Sequence, residues 1–207
     1  HPVETDANEP TMCLRTGVGA DGRRYYAASS LGVPHVYLLD DQFKTLLKYP
    51  DDATSSQNPG VGDVRLVDLD GDGTLEMAVG YFDVVGLQCV SLEGKRIWNE
   101  RSLVNVLRIA PLAATGQGRP SLLCTNIQPD KGPLAVVDGE GKLQAEVTVP
   151  GYRFIWVSAD DLDGDGTQEL CGLAQSASRS ATAVGFNLGG EELLELPIAA
   201  RLASAAD

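Results

Sequence analysis

Basic charge is what this sequence has least of. Against 29 Asp and Glu stand 16 Lys and Arg, a formal net charge of -13. Phosphate recognition needs a basic face, so nucleic acid is excluded as an expected partner. Docking on an anionic membrane is disfavoured for the same reason. Long apolar runs are missing too. None approaches the roughly 20 residues of a membrane helix, so no membrane insertion is expected, and there is no signal-peptide pattern. Histidine is limited to His1 and His35, which leaves histidine-based acid–base chemistry poorly supplied. No Ser, His or Cys shows a nucleophile-elbow or triad spacing. The four cysteines, Cys13, Cys89, Cys124 and Cys171, form no C-x-x-C pair, which argues against zinc. Each lies in an apolar stretch and reads as a buried free thiol acting as a small hydrophobe. One disulfide stays open as an alternative. No segment holds a sustained 3.6-residue apolar period, so helix is not expected over most of the chain.

What is present is ordinary in bulk. The 207 residues suffice for one or two domains with a real core, at 43% hydrophobic and 22% charged. The chain opens at His1 rather than Met. The expectation is that something upstream was removed or left out, and a lost secretion signal is one candidate.

The acidic charge is concentrated. Ten carboxylates lie in or beside two near-identical loops: Asp63, Asp68, Asp70, Asp72, Glu76, Asp160, Asp161, Asp163, Asp165 and Glu169. This part of the imbalance is expected to be neutralised by metal. The loops read Asp68-Leu-Asp-Gly-Asp-Gly-Thr-Leu-Glu76 and Asp161-Leu-Asp-Gly-Asp-Gly-Thr-Gln-Glu169, with 93 residues separating their starts. That is about two blade lengths of a repeat of roughly 40–50 residues. A degenerate copy is expected halfway, and Ala113-Ala-Thr-Gly-Gln-Gly-Arg-Pro-Ser-Leu122 keeps both glycines without the acids. An earlier copy, Gly19-Ala-Asp-Gly-Arg-Arg-Tyr-Tyr26, aligns Asp21 with Asp72.

A strand–turn–strand element recurs in each unit. Its copies run from Val36 to Leu47, Cys89 to Trp98, Ala135 to Leu143 and Val184 to Leu194. Short apolar runs around polar or Gly-rich turns are hairpin signals. The expected fold is therefore all-β, a β-propeller of about four four-stranded blades, either complete or part of a larger ring. The units approximate 11–55, 56–103, 104–150 and 151–207, after an extension at 1–10. The tail, Glu191 to Ala203, is the one helix-compatible stretch, and the repeat places a strand across its start.

Calcium takes six to eight hard oxygen ligands at roughly 2.3–2.6 Å. Counting Asp68 as position 1, acids fall at positions 1, 3, 5 and 9, Gly73 permits the turn at 6, and Thr74 offers its carbonyl at 7. The first predicted ligand set is Asp68, Asp70, Asp72, Thr74 and Glu76. The second is Asp161, Asp163, Asp165, Thr167 and Glu169. An EF-hand also needs a bidentate Glu at position 12 and flanking helices, but here Val79 and Gly172 stand at 12. The competing account is an Asp/Gly turn held by side-chain-to-backbone bonds that binds nothing. Four acids within nine residues argue against it, because unneutralised carboxylates repel at short range. The first and third copies lack the acids and are not expected to bind metal.

These loops, with the apolar strands that follow them, resemble the FG-GAP/VCBS repeats of bacterial extracellular proteins and integrin-type propellers. The resemblance implies a loop that joins the first two strands of a blade and binds calcium. The hairpin Ser91-Leu-Glu-Gly-Lys-Arg-Ile-Trp98 also looks like those of quinoprotein-like propellers. Two functions follow as expectations. The first is a non-catalytic, extracytoplasmic module for protein or glycan binding or scaffolding, its two calcium ions structural. The alternative is a propeller enzyme or a fragment of one, a quinoprotein-like dehydrogenase or a lyase. Ring closure by missing blades or by a second copy is a further expectation, since exposed strand edges invite pairing. Trp98 and Trp156 are expected to pack between blades, Tyr25-Tyr26 and Tyr81-Phe82 to line one face, and His35 to sit on a surface or loop.

Overall fold

A computed structural model describes residues 13–30, 33–51, 59–114, 118–128, 132–148, 153–162, 164–175, 181–187 and 191–197. The expected extension at 1–10, the centre of the third loop copy at 115–117 and the end of the tail at 198–203 lie outside the described residues.

Short runs of β-branched and apolar residues, broken by Gly, Asp and Pro, favour strands joined by tight turns. Sixteen strands form among the described residues, in four antiparallel meanders. The first contains β1 (Cys13–Val18), β2 (Arg24–Ser29), β3 (Val36–Leu39) and β4 (Thr45–Tyr49). The second contains β5 (Val61–Val67), β6 (Glu76–Tyr81), β7 (Leu87–Ser91) and β8 (Arg96–Glu100). The third contains β9 (Ile109–Leu112), β10 (Ser121–Thr125), β11 (Leu134–Asp138) and β12 (Leu143–Val147). The fourth contains β13 (Arg153–Asp160), β14 (Glu169–Gln175), β15 (Ala181–Phe186) and β16 (Glu192–Pro197). The start of the tail is thus a strand. The sole helical element among the described residues is a 3-10 turn at Asp83–Val85.

Each sheet is a copy of the others down to its irregularities. The pairing of third and fourth strands shifts register between Leu38 and Leu39, Cys89 and Val90, Val136 and Val137, and Gly185 and Phe186. A bulge at one position in all four hairpins twists each outer edge alike. The turns are closed the same way. Asp40 accepts backbone N–H bonds from Gln42 and Lys44 at 2.9 and 2.8 Å, and Asp138 accepts from Glu140 and Lys142, both at 2.9 Å. The left-handed turn position holds Gly94 and Gly141 in two hairpins but Phe43, at φ 61°, in the first. The Phe43 ring stacks on Tyr26 with centroids 4.5 Å apart.

The sheets pack face to face in chain order: β1 and β2 on β5, β5 on β9, and β9 and β10 on β13. Three apolar clusters fill the gaps. Ala27, Val36 and Leu38 meet Val64, Met77 and Val79 between the first two sheets. Leu87 and Cys89 meet Ile109, Leu122 and Cys124 in the next gap. Leu123 and Leu134 meet Phe154, Leu170 and Phe186 in the last. No comparable packing joins β13 to β1 among the described residues. The consequence is visible at one repeat position. Leu14, Val64, Ile109 and Val157 occupy equivalent sites on the innermost strands, opposite Ala28, Val79, Cys124 and Gly172. Val64, Ile109 and Val157 are 0% exposed, whereas Leu14 is 48% exposed. The difference is that each of the first three has a sheet behind it.

Candidate metal centre

Strand β5 runs straight into the first acidic loop, and Glu76 opens β6. The loop folds by satisfying backbone N–H groups with its own carboxylates. Asp68 accepts from Gly71 at 2.7 Å and from Gly73 at 2.9 Å, one bond on each oxygen. Asp70 accepts from Asp72 at 3.0 Å, and Asp72 accepts from Thr74 at 2.6 Å. Glu76 reaches back across the loop mouth to the Leu69 N–H at 2.8 Å. Gly71 and Gly73 hold φ of 79° and 90°, a region that residues with a Cβ resist. A Cβ on Gly71 would meet nothing within 4 Å, so backbone torsion rather than crowding selects glycine there.

The second loop reproduces this arrangement. Asp161 accepts from Gly164 at 2.7 Å and Gly166 at 2.9 Å, Asp165 accepts from Thr167 at 2.7 Å, and Glu169 accepts from Leu162 at 2.9 Å. Gly164 and Gly166 take φ of 82° and 87°. Asp163 lies outside the described residues.

In the first loop the carboxylates of Asp68, Asp70 and Glu76 converge, with oxygens all within 4.8 Å of one another. That grouping does not include Asp72. Asp68 is half-buried, Asp70 exposed and Glu76 buried. Burial pushes the Glu76 carboxyl up to about 7, opposed by the Leu69 N–H bond and reinforced by the charges of Asp70, Asp68 and Asp72. Three oxygens of hard carboxylates converging at a turn, one of them buried beside like charges, form a donor set that fits a hard divalent cation. Thr74 follows on the same turn, where its carbonyl is a fourth candidate donor.

The surroundings of the two loops differ. Gly73 accepts a bond at 3.1 Å from the N–H of Ala20, in the β1–β2 turn of the preceding sheet. On the other side, a Cβ on Gly139 of the following sheet would collide with the Leu69 carbonyl. The first loop is therefore clamped between two neighbours, and Leu69 is 1% exposed. Its counterpart Leu162 is 50% exposed.

Several sequence expectations are corrected. Asp63 was grouped with the metal-neutralised charge, but it is fully buried away from the loops, among arginines. It accepts from Arg15 Nη2 at 3.0 Å, Arg65 Nη2 lies 3.4 Å from its other oxygen, and Ile109 N–H donates at 3.0 Å. It thereby ties three sheets together. Its position five residues before Asp68 gave it no separate signature. Cys13 and Cys171 are half-buried, with the Cys13 sulfur 3.6 Å from Asp63, whereas Cys89 and Cys124 are buried as expected; all four cysteines are free thiols. His35 sits in the loop just before β3, as expected, but is buried there rather than on the surface, with Nδ1 3.2 Å from the Pro50 carbonyl oxygen. Tyr81 is fully buried in the first cluster, so it lines no face. Trp98 does bridge sheets, donating from Nε1 to the Gly139 carbonyl at 2.9 Å. Trp156 does not pack inside: it is 40% exposed on β13.

No family model matches this chain, and no curated protein matches it. Solved structures do. Over 88% of its length it is similar to the V. cholerae biofilm matrix protein Bap1, with a TM-score of 0.58 and 16% identity. Over 90% it is similar to the Dos1 propeller, with a TM-score of 0.56 and 12% identity. The fold is a β-propeller. The Pseudomonas aeruginosa PilY1 C-terminal domain is also similar over 78% of the chain, with a TM-score of 0.51 and 13% identity. The chain covers 27%, 50% and 38% of these three structures respectively. Among the described residues of this propeller, no helix is long and apolar enough to cross a membrane.

Proposed function

We propose that this chain is a non-catalytic, calcium-binding propeller module of the FG-GAP/VCBS kind, acting outside the cytoplasm to bind or scaffold a protein or glycan. The observation that carries the reading is the convergence of Asp68, Asp70 and Glu76 at the strand-to-strand turn; in the second loop Asp161 and Glu169 make the same backbone bonds as Asp68 and Glu76. Calcium is favoured over magnesium because an all-protein oxygen cage suits the larger ion. Its role is structural. It compensates like charges that folding brings together, and it stabilises the native state by mass action. Millimolar extracellular calcium matches the weaker class of such sites, with Kd around 10⁻⁴–10⁻³ M. The extracytoplasmic placement draws support from one neighbour being a biofilm matrix protein.

The propeller also takes a blade-like partner. Leu14 on the first sheet and Leu162 on the fourth are exposed at positions whose counterparts are buried between sheets. A further unit packed on either face, from additional repeats or from a second copy, would cover them. Calcium titration of the chelated protein by calorimetry, followed by thermal unfolding with and without chelator, tests the metal reading. Absence of both a calcium heat and a thermal shift would sink it.

A further inference from the structure

The charge of this molecule is inverted at its innermost strands. The chain as a whole carries -13, yet Arg15 on β1 and Arg65 on β5 converge on one carboxylate, Asp63, and Arg108 just before β9 bonds the carbonyl of the adjacent Gly62. Arg15 and Arg65 pair with its two oxygens. Arg108 donates from Nη1 to the Gly62 carbonyl at 3.3 Å and to the Leu107 carbonyl at 2.6 Å. Arg65 also donates from Nε to the Ile109 carbonyl at 2.6 Å. Three guanidinium groups against one carboxylate leave two positive charges uncompensated. Among the described residues, Arg108 pairs with no carboxylate, its Nε and Nη2 have no acceptor, and neither does Nη1 of Arg65.

Such an arrangement is costly as a purely internal clasp. Excess guanidinium charge in a partly buried clasp is desolvated without a counter-ion to repay it in full. Arg65 registers the crowding. Its pKa is lowered chiefly by burial; Asp63 is the largest opposing influence, and Arg15 and Arg108 each add a smaller repulsion. All three arginines nevertheless remain partly open to solvent. Planar forks with free N–H groups match the geometry of oxyanions. On the fourth innermost strand, the pairing registers equate Trp156 with Asp63, and this aromatic is 40% exposed.

We infer that Arg15, Arg65 and Arg108 form a binding site for the oxyanion group of a ligand, a carboxylate or sulfate presented at the innermost strands. The anion supplies the missing negative charge and accepts the N–H groups that the protein leaves unused. Trp156 offers an apolar surface at the matching position of β13 for a ring carrying that anion.

The test is calorimetric titration of the chelated full chain at constant ionic strength, using sulfate, glucuronate and neutral glucose. The site predicts saturable binding of sulfate and glucuronate and none of glucose. Tighter binding of glucuronate than of sulfate assigns the anion to a sugar-borne group; the reverse assigns it to the free ion. Arg108→Gln, which removes both the charge and the fork, weakens both anions about tenfold or more. Arg108→Lys, which retains the charge but loses the fork, weakens them less and serves if the glutamine variant does not fold. Absence of saturable anion binding, or binding unchanged in a folded Arg108 variant, overturns the inference. Because calcium is absent throughout, failure here is separate from failure of the metal reading.

Discussion

At the scale of single residues, Glu76 is where fold and charge conflict most. Its unfolded value lies near 4.5, and burial lifts the folded value to about 7. The sign follows from linkage. Between these values the unfolded chain has released the proton while the folded chain still holds it, so rising pH favours unfolding. In chelator, the melting temperature is expected to fall as pH rises from about 4.5 to about 7 and then to level off. Saturating calcium stabilises the ionised form and removes that decline. Glu76→Gln abolishes the decline in chelator together with calcium binding at the first loop, measured by the same melts. Gly71 gives a second residue-scale prediction. With φ at 79° and open space around it, Gly71→Ala costs about 1 kcal/mol through backbone strain alone, and Gly71→Asn costs less, as denaturant unfolding would measure. These glycines were legible in the sequence because torsional demand and the Asp-Gly-Asp-Gly pattern coincide. Asp63 was not legible. An isolated Asp in a strand carries no sign that three sheets will meet at it.

The elements are repeats, and their differences report what lies beside them. The four-strand period was legible because bulges, turn acceptors and loop positions recur in each meander. What a linear repeat cannot display is which copies have neighbours on both faces. Leu69 and Leu162 hold the same place in near-identical loops, yet one is sealed beside Gly139 and the other stands half in water. Leu69→Ala is expected to cost about 2–4 kcal/mol, in the range of buried leucine truncations. Leu162→Ala should change stability by no more than about 0.5 kcal/mol, as exposed substitutions do. Equal costs in chemical denaturation would mean that the second loop is as enclosed as the first. Phe43 carries a related lesson. It occupies the left-handed turn position filled by glycine at 94 and 141, and only its stacking on Tyr26 accounts for an aromatic there. Trp156, expected between blades, stands partly exposed like Leu162: apolar residues are buried only where a partner surface exists.

For the whole molecule, stability rests on three apolar gaps and on one polar knot. Asp63 joins the first three sheets through Arg15, Arg65 and the Ile109 N–H. Removing its charge leaves partly buried guanidinium groups without a counter-ion and the Ile109 N–H without its acceptor, so Asp63→Ala is expected to cost about 2–3 kcal/mol, read as a lower denaturation midpoint. The acidic loops lie at the opposite end of the same innermost strands, where negative charge is in excess. The propeller thus carries two patches of uncompensated charge of opposite sign, each built where strands from successive repeats draw together. The central claim is that the negative patch is a calcium centre used twice. Calorimetric titration of the fully chelated protein with calcium tests it most directly. The account predicts two sites with Kd around 10⁻⁴–10⁻³ M, one lost in Glu76→Gln, the other in Glu169→Gln, and both in the double variant. A flat titration of a folded protein, or two sites that survive in the double variant, would contradict it.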